Sequence, residues 1–200
     1  MFQINNLFNN KNIQCVSQMG QFFVCEHQKD LSVSPYNAET AYFSSEMNVK
    51  RRQVLVQLNN TGCFIQAGAM QWMLGNVNMK TNVTAGNFLG KAASAMVTKE
   101  TIAKPEYTGQ GYLMLEPTYK HIILIDVSKW GQIVLDDGLF LACDNTLQYK
   151  TVSRKNLSSA VLGGEGLFNL SLIGNGSAAL ESPVPQQELI QFNLQDDEVK

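Results

Sequence analysis

The sequence predicts an all-β fold, a β-sandwich or double-stranded β-helix with two pseudo-repeated halves and one short helix near residues 87–96. Three observations lead there. Short apolar runs recur along the chain, turn-forming residues bound each run, and a glycine pattern occurs twice at one spacing. Two hundred residues fit one domain and suffice to bury a core without disulfides or a structural metal. We therefore read residues 1–200 as a single β domain, its halves spanning about 1–104 and 105–195.

The strand candidates come in order at residues 22–25, 54–58, 112–115, 122–125, 133–135, 167–172 and 189–194. They are too short for helices and rich in β-branched and aromatic side chains. Leu170 and Leu172 alternate with Asn169 and Ser171, which gives one inner and one outer face. Residues 87–96 differ. They are small and Ala-rich, with Phe88, Ala92, Ala95 and Met96 at helical spacing, and Gly86-Asn87 suits a helix start. A linker is expected through Lys104-Pro105, and the polar residues 196–200 are expected to fray.

The repeat is Gly109-Gln110-Gly111 with Leu115-Glu116, matched by Gly174-Asn175-Gly176 with Leu180-Glu181. A looser echo links residues 58–67 to residues 135–142. In each a polar, glycine-containing turn is expected between two strands, and Asp137-Gly138 is a hairpin signal because both residues tolerate positive φ.

Composition limits the function. Hydrophobic residues make up 44% and charged ones 16%, so the chain is not disordered, and its weakly charged surface points to cover by other copies. A net charge of −2 argues against nucleic acid, which needs clustered Lys and Arg to displace counterions. The one dense basic cluster, Lys50-Arg51-Arg52, reads as the solvated start of a strand rather than a phosphate site. Cys15, Cys25, Cys63 and Cys143 form no CxxC pair and are expected to be free thiols, Cys63 and Cys143 buried. No secretory signal or membrane span is recognised, so the expected location is cytoplasmic.

The search for chemistry yields no catalytic set. His27 and His121 stand far apart without ligand spacing, so no metal and no cofactor is expected. Gly163-Gly164-Glu165-Gly166 resembles a phosphate cradle but leads into a strand, which favours a bulge or close backbone packing. Glu116, Glu165 and Glu181 would serve an enzyme only if two of them met in a cleft; strand-end structural roles are the plainer reading. Residues 66–79 carry methionines, alanines and one tryptophan between glycines, with few charges, and suit either core or a contact with another subunit. The candidate interface or ligand region is therefore Gly68, Met70, Trp72, Met73, Gly164 and Glu165.

Gln66-Ala67-Gly68-Ala69-Met70, Leu139-Phe140-Leu141-Ala142, Gly163-Gly164-Glu165-Gly166-Leu167-Phe168 and Gly174-Asn175-Gly176 with Leu180-Glu181-Ser182 occur in an order that resembles the mitochondrial-biogenesis (altered inheritance of mitochondria) family, which has many bacterial members. The resemblance covers roughly residues 35–192, while Thr98-Lys99-Glu100-Thr101 replaces a Gly-Glu-Ser-type element. It implies a double-stranded β-helix fold like that of the tryptophan RNA-binding attenuator protein, and homo-oligomers. It implies no enzymatic activity, and kinship of fold does not transfer RNA binding. The expected function is a non-catalytic, homo-oligomeric β scaffold or protein-interaction module, with itself and other proteins as partners. The alternative is a module binding a small molecule or anion at the glycine turns where the halves meet.

Overall fold

The computed structural model describes residues 3–81, 104–136, 138–153 and 168–195. Strands β1 (Ile13–Met19) and β2 (Phe22–His27) form a hairpin about Gly20, whose φ of 55° is easiest for glycine. After helix α1 (Ala38–Glu46) come β3 (Arg52–Ile65), β4 (Met70–Lys80), β5 (Glu106–Leu115) and β6 (His121–Asp126). Then follow β7 (Gln132–Leu135), β8 (Phe140–Asp144), β9 (Gln148–Ser153), β10 (Phe168–Ile173) and β11 (Ser177–Ser182). The protein is mostly β, as the apolar runs indicate, and every strand pair in the two sheets is antiparallel.

Strand β3 organises the larger sheet. Leu55 is in register with both Phe23 and Met114, and Cys63 with both Tyr107 and Asp144. Strands β2 and β8 therefore share one edge of β3, with β5 along the other and β4 outside β5. From β3 the sheet runs through β2 to β1 one way and through β8 and β11 to β6 the other, and β1 approaches β6. The result is a nearly closed barrel. Strands β7, β10 and β9 make a second, three-stranded sheet.

Residues 59–62, expected as a turn, are instead a bulge inside β3. Asn59 pairs with Gln110 and Thr61 with Gly109, which leaves Asn60 as the extra residue at φ 55°. Thr61 Oγ1 accepts the Asn59 N–H at 3.2 Å and so satisfies the disturbed backbone. The inserted residue reverses the strand's facing. Val54, Val56 and Leu58 point into the barrel before it; Cys63 and Ile65 do so after it.

Three apolar cores follow. The barrel interior joins Phe22, Val54, Ile65, Leu113, Leu124 and Ala179. Phe140, Cys143, Leu170, Leu172 and Ala178 fill the space between the sheets, and Leu7, Cys25, Leu55 and Met114 cover the opposite face of β2, β3 and β5. A fully buried Leu, Val or Phe contributes roughly 1.5–3 kcal/mol, so these layers carry most of the stability.

Other expectations change. Residues 189–194 form no strand: the chain turns at Pro185, and Leu189, Ile190, Phe192 and Leu194 are exposed. Alternation alone makes no strand without a neighbouring edge to pair with. Gly138 lies in a turn at φ 77°, but the flanking β7 and β8 belong to different sheets and make no hairpin. The repeated glycines differ in setting, Gly109 and Gly111 lying within β5 and Gly174 and Gly176 in the β10–β11 turn. Lys104 and Pro105 are buried rather than a free linker, with the Lys104 ammonium 4.9 Å from the centre of the Phe140 ring. The helix expected at residues 87–96 lies outside the described residues; α1 is a helix the sequence reading did not assign.

Candidate functional site

The apolar segment singled out in the sequence becomes the turn and strand after β3. Gly68 sits in that turn at φ 82°, where Ala69 N donates to Gln66 O at 3.0 Å. Strand β4 then lies unusually close to β5. A Cβ at Gly109 would meet the Asn76 carbonyl oxygen, and one at Gly111 the Leu74 carbonyl oxygen. Those two glycines are therefore fixed by backbone approach.

Met70 packs against the barrel core and Trp72 against Leu55 and Met114, while Met73 is 48% exposed. The structure thus gathers Met70, Trp72 and Met73 on one edge strand, part core and part surface, with Gly68 in the turn that leads into it. Gly164 and Glu165 lie outside the described residues. Among the described residues β4 pairs only with β5. Its eleven residues contain no proline and a single charge, Lys80.

A second feature was legible only in part. Lys50-Arg51-Arg52, expected to be solvated, opens a polar network instead. Lys50 Nζ and Arg52 Nε both reach Glu26, at 3.1 and 2.9 Å, and Arg52 is only 4% exposed. Arg52 also exchanges two backbone hydrogen bonds with Thr118. Arg51 Nη1 donates to Ser32 Oγ at 3.0 Å and to Asp30 Oδ1 at 3.4 Å, and Arg51 Nη2 lies 3.2 Å from His27 Nδ1.

A guanidinium only donates, so His27 Nδ1 accepts and its proton sits on Nε2. Nε2 then donates to Gln53 Oε1 at 3.0 Å, and Gln53 Nε2 donates to Gln71 Oε1 and the Leu115 carbonyl. Arg51 is thereby anchored through β2, β3, β4 and the end of β5. Asp30 accepts from Ser32 and from the Tyr119 hydroxyl, and these bonds hold its carboxyl down at about 2. His121, at the start of β6, is pushed below its ordinary value by burial and by Arg52.

The carboxylates weighed for catalysis have separate settings. Glu181 bonds Lys120 at 2.9 Å, Glu116 is exposed after β5, and Glu165 is outside the described residues. The unforeseen acid is Asp144. It accepts from Ser177 N and Gln21 Nε2, both at 2.6 Å, and burial raises its carboxyl. No sequence pattern marks it, because its partners lie far along the chain, Gln21 in the β1–β2 turn and Ser177 at the start of β11. Among the described residues no three His, Cys, Asp or Glu side chains are grouped to hold a metal ion, and no helix is long and apolar enough to cross a membrane.

An uncharacterised protein of Streptococcus pyogenes serotype M6 is 32% identical to this chain over 150 residues, 70% of this chain and 60% of the relative. The chain thus spans less than two thirds of that relative's length. A crystal structure of a Streptococcus pyogenes protein aligns at 24% identity and a TM-score of 0.49, covering 70% of this chain and 62% of the other. The family profile described as Mitochondrial biogenesis AIM24 matches residues 43–200, and this chain belongs to that family.

Proposed function

We propose that this chain is a non-catalytic, self-associating β module in which the β4 edge of one copy pairs with the β4 edge of a second. The observation that carries it is the open edge itself. Eleven residues present a row of backbone N–H and C=O groups with one charge, no proline and no second strand among the described residues. Sheet edges are ordinarily guarded by charges, prolines or cover, because they otherwise recruit another strand.

Antiparallel pairing about Gly75 sets Met73 opposite Val77 and Met70 opposite Lys80, so no like charges face each other. Such a contact is self-complementary and closes as a two-fold dimer. The assembled module presents α1 and its two flanks to other proteins: Tyr36, in the turn before the helix, is 97% exposed, and Tyr42, Phe43 and Met47 are exposed as well. Kinship to the double-stranded β-helix of the tryptophan RNA-binding attenuator protein, and a cytoplasmic setting, belong to the same reading. Nucleic acid does not, given the net charge of −2.

Light scattering on the purified chain tests it. The expected mass at tens of micromolar is a multiple of 22.2 kDa, falling toward 22.2 kDa in the Met73→Lys/Met79→Lys variant. A mass of 22.2 kDa at every concentration removes the proposal.

A further inference from the structure

We propose that the cleft between α1 and the start of β3 binds a small monocarboxylate, with Arg51 as its anchor. This site is separate from the β4 edge and does not depend on it. The cleft encloses about 280 Å³ and is lined on one side by His27, Asp30, Lys50 and Arg51 and on the other by Thr40 and Ser44 of α1. That volume lies near the small end of natural ligand sites, which fits a compact organic acid.

Three observations select the chemistry. Arg51 Nε is buried and has no hydrogen-bond acceptor, although both terminal nitrogens of the same guanidinium are engaged. A buried N–H without an acceptor leaves this guanidinium short of a partner, and a carboxylate oxygen meeting the exposed quarter of the side chain supplies a charge-assisted bond. The guanidinium is also held in place before any ligand arrives. Ser32, Asp30 and His27 fix it, and His27 is fixed in turn by Gln53. A positioned arginine loses little freedom on binding, which is how recognition sites reach useful affinity.

Charge gives the valence. The cleft is lined by Lys50, Arg51 and Asp30, and with Arg52 and Glu26, which are ion-paired into the same cluster, three cations stand against two anions. A single carboxylate balances the excess, whereas a phosphate dianion overshoots it. Val33, Ala41 and Val49 line the same cleft and offer apolar contact to a short hydrocarbon tail.

The test uses the full chain and 4-fluorobenzoate as probe, followed by fluorine NMR at constant ionic strength, with butyrate and inorganic phosphate as competitors. Expected is saturable binding, displaced by butyrate, with phosphate at least tenfold weaker. Arg51→Gln weakens binding at least tenfold. Ala41→Phe, which fills the cleft from exposed helix α1 and leaves the hydrogen-bonded network intact, abolishes it. Ala41→Phe keeps the test decisive if Arg51→Gln fails to fold. Absence of saturable binding, equal competition by phosphate, or wild-type binding in Ala41→Phe overturns the proposal.

Discussion

Asp30 sits where three parts of the chain meet, bonded to Ser32, Tyr119 and Arg51. Its folded value of about 2 lies below the ordinary 3.8, so it adds stability that is complete above 3.8 and is lost as pH falls toward 2. Asp30→Asn should flatten the acid limb of stability between those values, read from unfolding midpoints at pH 2 to 5. The thiols give a second prediction. Cys15 is exposed, whereas burial pushes Cys25 up to about 11 and Cys143 up to about 12 and raises Cys63 as well. A thiolate-selective reagent at pH 8 should titrate one cysteine in the native protein and all four after denaturation. At this scale the sequence showed Lys50-Arg51-Arg52 but not their partners. Glu26, His27 and Asp30 lie some twenty residues earlier and reach them only because β2 and β3 pair in one register.

Strands were the most legible elements, since β2, β3, β5, β6 and β7 each contain a run marked by alternation and turn residues, and β10 takes up residues 168–172 of another. What escaped were features set by neighbours. Helix α1 has no buried face, so no periodic apolar stripe announced it. The bulge at Asn60 looked like a turn because asparagine and glycine tolerate positive φ, which a turn and a bulge both use. Asn60→Gly should shift stability by less than about 1 kcal/mol, since glycine takes the same conformation. Deleting Asn60 removes the reversal that turns Cys63 and Ile65 inward, and the variant should fail to fold. Gly109→Ala should cost at least about 1–3 kcal/mol, because the β4 backbone must move away from the new methyl. Urea midpoints of Asn60→Gly and Gly109→Ala, and the absence of a cooperative urea transition in the Asn60 deletion, check the element-level account.

The described residues form a nearly closed barrel with a second sheet beside it, and among them β4 lies at the margin of the larger sheet, paired with β5 alone. Its charged fraction of 16% leaves few groups to guard that margin. The apolar stretch around Met70 and Trp72 was legible as core or contact; its division into a packed part and an exposed part depends on β5, which among the described residues is the one strand paired with β4. Self-association through β4 is the central claim. Hydrogen exchange of the amides in residues 70–80, followed from low to high protein concentration, tests it most directly. The account predicts that the outward-facing amides gain protection as concentration rises, and that Met73→Lys/Met79→Lys removes the gain. Exchange in β4 that is the same at every concentration, while the wild-type fold stays intact, would contradict it.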